Sequence, residues 1–166
     1  MPRDQGRPWF AVAIATALGV GFAPFAPGTF GAALAVPVFV LASSFEQPAL
    51  LALSWGGLLA LGIWAAERAE SALGRVDDGR IVIDEVAGQL LALAPLLALP
   101  AANRTNWPAL VTGFVAFRVL DIWKPGPVRW AERRFEGGVG VMLDDVVAGA
   151  LAALVLAALL AAGVLA

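Results

Sequence analysis

The chain has 166 residues, of which 60% are hydrophobic and 14% are charged, and its formal net charge is −2. Soluble domains are usually about 45–50% apolar and about 25% charged, and a domain of this size has too much surface to cover so many apolar side chains. This composition disfavours a water-soluble globular fold and excludes a disordered chain. The expected fold is all-α: a single polytopic membrane helix bundle over residues 1–166, with about five spanning helices and short interfacial helices.

The chain contains neither Cys nor His. The absence of Cys excludes disulfides, thiolate nucleophiles and cysteine-ligated metal centres. The absence of His excludes histidine nucleophiles, Ser-His-Asp triads and haem or zinc bound by imidazole. Any chemistry must therefore use carboxylates, Lys, Arg, hydroxyls or the backbone. No basic stripe is present, so the sequence predicts no nucleic-acid partner.

The first apolar run, residues 8–21, is too short for a span of about 20 residues, so it is expected to be interfacial or re-entrant. A Gly/Pro-rich segment follows over residues 21–31 and is predicted not to be regular helix. Its Gly28, Thr29 and Phe30 N–H groups are candidates for a phosphate-binding nest, and a plain loop is the alternative. Five further apolar runs predict the spanning helices: residues 32–44, 49–66, 86–102, 107–119 and 146–166.

Charge placement predicts how these runs cross the membrane. With the N-terminus in the cytoplasm, ten of the eleven cations fall on the cytoplasmic side and only Arg104 falls outside, as the positive-inside rule requires. The same arrangement places twelve of the thirteen acids on the cytoplasmic side, with Glu46 as the exception. That rule does not sort Asp and Glu, so the concentration of acids on one face needs another cause.

Three acidic clusters supply a candidate cause: Asp84-Glu85, Asp121 and Asp144-Asp145. Each cluster lies where an apolar run meets the cytoplasmic interface, so a bundle would bring them to one depth. Carboxylate oxygens are hard ligands that suit Mg²⁺ or Mn²⁺, and a cation would neutralise like charges packed near hydrocarbon. The alternative is that Asp84 and Asp144 are only helix N-caps.

Basic residues lie beside these acids. Arg118, Asp121 and Lys124 are spaced i, i+3, i+6, which predicts either a phosphate clamp or an intrahelical salt-bridge ladder. Residues 125–136 predict a short interfacial helix that anchors the protein or holds an anionic headgroup, with Arg129 as the candidate ligand. The glycines at 137, 138 and 140 indicate a hinge or a close backbone approach.

Four motifs occur in order along the chain: APGTFG, IVIDEVAGQ, FRVLDIWKPGPVRW and GGVGVMLDDVVAG. Together they resemble the phosphatidylglycerophosphatase A family over residues 22–149. The resemblance implies a Mg²⁺-dependent enzyme of the bacterial inner membrane that hydrolyses phosphatidylglycerophosphate to phosphatidylglycerol and phosphate at the cytoplasmic face. Three positions depart from the family pattern without touching the acidic clusters: Ala32, Gly126 and Glu132.

The resemblance also implies roles for individual residues. Thr29, Arg118 and Lys124 are expected near the substrate phosphate, beside Gly28 of the candidate nest. The expected metal-binding and catalytic residues are Asp84, Glu85, Asp121, Asp144 and Asp145.

The residues present favour metal-assisted attack of water on a phosphomonoester, with Glu85 as a candidate general base. A covalent aspartyl-phosphate at Asp84 or Asp121 is the alternative mechanism. Two other functions remain open: a small carboxylate-lined transporter, and a lipid-headgroup transferase, although the transferase pattern is missing after Asp78-Gly79. The predicted partners are a membrane phospholipid and the bilayer, and the sequence indicates no protein partner.

Overall fold

The computed structural model describes residues 8–76 and 78–165, so the N-terminal segment that is predicted to be cytoplasmic lies outside the described residues. All regular structure in these residues is helical, as the composition predicts. Seven α-helices are described: α1 (Pro8–Ala15), α2 (Pro27–Ala42), α3 (Pro48–Leu73), α4 (Ile83–Leu93), α5 (Trp107–Trp123), α6 (Gly126–Arg134) and α7 (Gly137–Ala161). Three short 3₁₀ helices connect them: Val20–Phe22, Ala94–Ala98 and Ala101–Asn103.

Local sequence explains where several helices begin and end. α2, α3 and α5 each carry a proline in the first turn, where its missing N–H has no intrahelical acceptor to lose. The Asn106 side chain also caps α5 by accepting a hydrogen bond from the Ala109 N–H. Gly74 ends α3 in the left-handed conformation, with a φ of 74°.

Two helices, α3 with 26 residues and α7 with 25, are long and apolar enough to cross a membrane. The core helix of a soluble protein would be mostly buried. Here only 17% of the apolar stretch of α3 and 33% of that of α7 is buried. Large apolar side chains such as Leu53 and Leu154 are instead 74% and 68% exposed. These features indicate a membrane-associated helical protein, and two of the five predicted spans reach the full spanning length.

α7 is the centre of the bundle and contacts α3, α4, α5 and α6. Glycines allow its backbone to approach its neighbours closely, as is common in membrane helix pairs. A Cβ at Gly149 would overlap the carbonyl oxygen of Gly88 in α4, and one at Gly138 would overlap the carbonyl oxygen of Ile63 in α3. This close packing sets α4 beside α7 and thereby brings their acidic residues together.

The structure corrects three local predictions. The segment from Pro27 to Gly31 is the first turn of α2 rather than irregular loop, because a proline is compatible with the first turn of a helix. Gly138 and Gly140 lie within α7, so for these two the close-approach interpretation holds and the hinge interpretation does not, whereas Gly137 starts the helix with a left-handed φ of 62° and has no atom within 4 Å of an added Cβ. The run predicted over residues 86–102 leaves α-helical geometry at Ala94, beside Pro95, which has no N–H to donate.

Candidate active site

Acids from α4 and α7 meet inside the bundle. Asp84 and Glu85 lie in the first turn of α4, and Asp145 lies about two turns into α7. One carboxylate oxygen from each of the three residues lies within 4.8 Å of the other two. The capping positions of these helices are Val82 and Glu136, and neither forms a side-chain capping bond. The interpretation of Asp84 and Asp144 as simple N-caps is therefore wrong.

Asp121 and Asp144 lie beside this group, and both interact electrostatically with Asp145. Each of the two has its own cationic partner. Asp121 accepts a hydrogen bond from Arg118, and Asp144 accepts one of 2.8 Å from Lys124 Nζ. The three predicted clusters therefore converge from α4, α5 and α7, with a triad of acids at the centre and two ion-paired acids beside it.

Arg118 and Lys124 occupy different positions around the acids. The Arg118 guanidinium pairs with Asp121 within α5 and lies 3.9 Å from Glu85 Oε1 of α4. Lys124 follows the last residue of α5 in a left-handed conformation with a φ of 48°, which turns the chain toward α6. Its ammonium group pairs with Glu132 of α6 and with Asp144 of α7. The predicted salt-bridge ladder therefore holds for Arg118 and Asp121, and it does not extend to Lys124.

Lys124 is held in its charged form. Partial burial alone lowers the pKa of Lys124, but the hydrogen bonds to Asp144 and Glu132 outweigh burial and raise its pKa above the ordinary value. Lys124 therefore remains a permanent positive charge at the edge of the acidic group.

The first turn of α2 closes another side of this group. Gly28 is buried, and a Cβ there would overlap Glu85 Oε1 and would lie 3.4 Å from Arg118 Nη1. A larger residue here would therefore displace the end of the Glu85 side chain. The Thr29 and Phe30 N–H groups both donate to the Ala26 carbonyl oxygen, at 2.9 and 3.4 Å. The structure thus places Gly28 beside the acids. The Thr29 and Phe30 N–H groups, which were predicted to face a phosphate, instead donate within the start of α2.

The structure does not bring Arg129 to the acids. The short helix predicted over residues 125–136 forms as α6, with Val128 and Ala131 buried on its inner side. Arg129 lies on the outer side, where it lines a surface hollow of about 350 Å³ with Trp130, Arg133 and Arg134. Among the described residues, no acid forms an ion pair with Arg129.

Gln89 was not among the predicted site residues. Its side chain is fully buried, and neither polar atom of its amide has a hydrogen-bond partner within the described ranges. Gln89 follows Glu85 by four residues, so the two lie on one face of α4. Because side chains in a helix lean toward its N-terminus, the Gln89 side chain leans toward Glu85. A polar residue in an apolar run, one turn after an acid, was the signal that would have found it.

Several buried oxygens of the acidic triad also lack partners in the part of the chain that the structure describes. They are Asp84 Oδ1, Glu85 Oε2 and Asp145 Oδ2. A buried carboxylate without a partner is costly, and hard oxygen donors from several carboxylates suit Mg²⁺. The residues present therefore fit a divalent cation.

Comparison with known proteins identifies the family. The family model for phosphatidylglycerophosphatase A matches residues 13–160. Phosphatidylglycerophosphatase A of Escherichia coli is 37% identical over 90% of this chain and 81% of its own length. The Haemophilus influenzae protein of the same name is 30% identical over 88% of this chain and 86% of its own length.

A third relative carries a different name. A putative phosphatidylinositol-3-phosphatase of Bacteroides thetaiotaomicron is 47% identical over 86% of this chain and 89% of its own length. No solved structure matches the chain. The matched family covers all three acidic clusters as well as Arg118 and Lys124. The chain therefore belongs to the phosphatidylglycerophosphatase A family, and it is a phosphatase.

Proposed function

We propose that the protein hydrolyses the terminal phosphomonoester of phosphatidylglycerophosphate to give phosphatidylglycerol and phosphate, in a Mg²⁺-dependent reaction. The observation that carries this proposal is the converging triad of Asp84, Glu85 and Asp145, each with a buried oxygen, with Arg118 and Lys124 at its edge. Two relatives named for this activity match over more than 80% of their own length. Neither a transporter nor a headgroup transferase has comparable support.

Asp84, Glu85 and Asp145 are the residues that would hold the cation, because one carboxylate oxygen from each lies within 4.8 Å of the other two. A bound Mg²⁺ supplies charge stabilisation at a phosphoryl oxygen and lowers the pKa of water. Asp121 and Asp144 contribute negative charge around the triad while their cationic partners hold them in place. The buried Gln89 amide, one turn deeper, adds an unused donor and acceptor to the same face of α4.

The cations would bind the phosphate. Arg118 donates a hydrogen bond from Nη1 to Asp121, and its buried Nε has no partner among the described residues. That free N–H is available to a phosphate oxygen as a charge-assisted donor. Lys124 keeps its charge and would offset negative charge on the phosphoryl group as it passes from the lipid oxygen to water.

Water attack fits these residues better than a covalent aspartyl-phosphate at Asp121, and phosphoenzyme trapping separates it from one at Asp84. Glu85 Oε2 is buried and unpartnered within the described chain, so it can accept the proton of the attacking water. Asp121, by contrast, is held by Arg118, which makes its carboxylate a poorer nucleophile. Failure to trap acid-stable phosphoenzyme with labelled substrate would agree with direct attack, and recovery of phosphoenzyme would oppose it.

The protein is proposed to be a multi-pass protein of the bacterial inner membrane with this site on the cytoplasmic face. α3 and α7 are long enough to span, and α5, at 17 residues, lies at the lower limit for a spanning helix. α2 has 16 residues, and α4 is extended by a 3₁₀ helix. The one-sided distribution of Arg and Lys supports the cytoplasmic orientation of the site.

A phosphatidylinositol phosphate is the second candidate substrate. The relative with 47% identity is named as a putative phosphatidylinositol-3-phosphatase. Both lipids present a phosphomonoester on a polyol headgroup above a diacylglycerol anchor, so the same triad and cations would serve either reaction.

Phosphate release from each lipid by purified protein in detergent, with Mg²⁺ or with EDTA, tests the proposal. We expect Mg²⁺-dependent release that is faster from phosphatidylglycerophosphate and is abolished in Asp84→Asn and Asp145→Asn. Glu46→Gln, an exposed acid outside the cluster, is the matched control and should behave like the unchanged protein. Faster release from the inositol lipid would overturn the substrate assignment, and release that survives both Asp variants would overturn the carboxylate site.

A further inference from the structure

A wide apolar groove runs between α2 and α5. It has a volume of about 760 Å³, and Thr105 is its only polar lining residue within the described chain. Its walls are apolar side chains of the two helices, including Val36, Pro37, Val40, Leu110, Val111 and Phe114. Such a groove excludes charged ligands and suits a hydrocarbon chain.

The groove continues the seam that begins at the candidate active site. α2 and α5 run in opposite directions, and Gly28 and Arg118 meet at the site end of the seam. The groove starts about one turn further along both helices, at Ala33 and Phe114, and ends near Leu41 and Trp107. A ligand in the groove would therefore have one end close to Arg118.

The dimensions match one leaflet of a bilayer. At a rise of 1.5 Å per residue, the path along α2 from Gly28 to Leu41 is about 20 Å, and the groove itself covers about 12 Å of it. One leaflet contributes about 15 Å of hydrocarbon. Since α2 begins beside the acids, the groove extends from the depth of the candidate headgroup site into the hydrocarbon region.

We propose that the α2–α5 groove binds one acyl chain of the diacyl phospholipid substrate and so positions the headgroup phosphate beside Arg118. The inference rests on the proposed function and names a lipid-tail subsite for it. A second apolar groove of about 400 Å³ lies among α2, α3 and α4, at residues such as Ala52, Trp55 and Leu97. None of its lining residues belongs to the acidic site, so it does not offer the same continuity with the headgroup position.

The two grooves provide a matched pair of variants. Ala33→Phe places a large side chain in the α2–α5 groove, and Ala52→Phe makes the same change in the other groove. Both alanines are exposed, so neither change overpacks a buried core. Each variant is assayed with dioleoyl phosphatidylglycerophosphate and with the deacylated, water-soluble headgroup.

We expect Ala33→Phe to lower kcat/KM for the diacyl lipid by about tenfold, which corresponds to about 1.4 kcal/mol of lost binding. Its hydrolysis of the deacylated headgroup should stay unchanged, as should both activities of Ala52→Phe. Equal losses of Ala33→Phe on both substrates, or no loss on the diacyl lipid, would overturn the proposal.

A direct readout separates this inference from the proposed function. A phosphatidylglycerol with a photoreactive diazirine on one acyl chain should label residues 33–41 and 107–114, and Ala33→Phe should suppress that labelling. Labelling that is unaffected by Ala33→Phe, or spread over the exposed faces of α3 and α7, would reject the subsite, as would crosslinking of the groove to a second copy of the chain. Groove labelling without hydrolysis of either substrate would support the subsite and reject phosphatidylglycerophosphate as the substrate.

Discussion

Two acidic sites in this molecule have opposite surroundings. In the loop between α3 and α4, Asp78 is buried, but Arg80 donates to its carboxylate from the backbone N–H at 3.0 Å, from Nε at 2.7 Å and from Nη2 at 2.6 Å. In the bundle, Asp84, Glu85 and Asp145 each bury an oxygen that has no partner among the described residues. The fold supplies partners for the Asp78 carboxylate, whereas the triad keeps buried oxygens that the proposed cation would fill.

This difference is the one expected between a structural carboxylate and carboxylates that bind the proposed cation. A carboxylate whose partners are part of the fold contributes stability, whereas like charges gathered near hydrocarbon cost several kcal/mol until a cation neutralises them. Removing the charge should therefore have opposite effects on stability in the two places.

The largest expected effect comes from Asp145→Asn. Loss of a ligand and of charge at the triad should reduce kcat by about a thousandfold, within the range expected for electrostatic catalytic groups. The melting temperature without Mg²⁺ should stay the same or rise, because one of several like charges is gone. Steady-state kinetics and thermal unfolding on the same sample test both expectations, and a large fall in melting temperature would argue for a structural role.

Arg118→Gln is expected to have the next largest effect. It removes the cation that lies between Asp121 and Glu85 and leaves a phosphate oxygen without its donor, so kcat/KM should fall by about a hundredfold. Arg129→Gln, on the outer side of α6, is the comparison and should change kcat/KM less than about twofold. A larger loss in Arg129→Gln than in Arg118→Gln would reinstate Arg129 as a substrate-binding residue.

Gly149→Ala tests the close packing that brings α4 and α7 together. The added methyl would overlap the Gly88 carbonyl oxygen, so the helices must separate, at a cost of about 1–3 kcal/mol. Activity should fall together with stability. Gly56→Ala in α3 meets no atom within 4 Å and should not destabilise the protein. Equal unfolding free energies for the two variants would contradict the packing described here.

The smallest effect is expected at Asp78. Its hydrogen bonds with Arg80 lower the pKa of Asp78 from 3.8 to about 2. A lowered pKa contributes stability above the unfolded-state value, and that stability is lost as the pH falls from about 4 to about 2. Asp78→Asn should therefore cost about 1 kcal/mol at neutral pH, since Arg80 is partly exposed, and almost nothing near pH 2. Denaturant unfolding at the two pH values measures the difference, and a pH-independent cost would contradict the ion pair.

Much of the candidate site could be predicted from the sequence because its signals are local. Hydropathy indicates helices, and acids at the ends of apolar runs are conspicuous against hydrocarbon. The convergence of Asp84, Asp121 and Asp145 followed from placing those ends on one face of the membrane. The first turn of α2 was mistaken for loop because Pro27 and Gly28 are compatible with a helix only at its start.

Other features depended on packing that no short motif encodes. The chain turns at Lys124, so Lys124 pairs with Glu132 of α6 and Asp144 of α7. Its helical spacing from Arg118 therefore did not predict its partners. The position of Gln89 in an apolar run, one turn after Glu85, marks it in the sequence, but its burial without a hydrogen-bond partner among the described residues depends on the packing. Two of the five predicted runs form helices of full spanning length, and the run over residues 86–102 is interrupted at Pro95, where it leaves α-helical geometry.

The claim that the triad is a cation site can be tested without measuring catalysis. Thermal unfolding of the purified protein is followed as Mg²⁺ is added, and a ligand that binds only the folded state stabilises it by about 2.7 kcal/mol at a hundred times its Kd. The melting temperature of the unchanged protein and of Asp78→Asn should rise with Mg²⁺ concentration, and that of Asp145→Asn should not. An equal rise in Asp145→Asn, or no rise in the unchanged protein, would contradict a cation site at Asp84, Glu85 and Asp145.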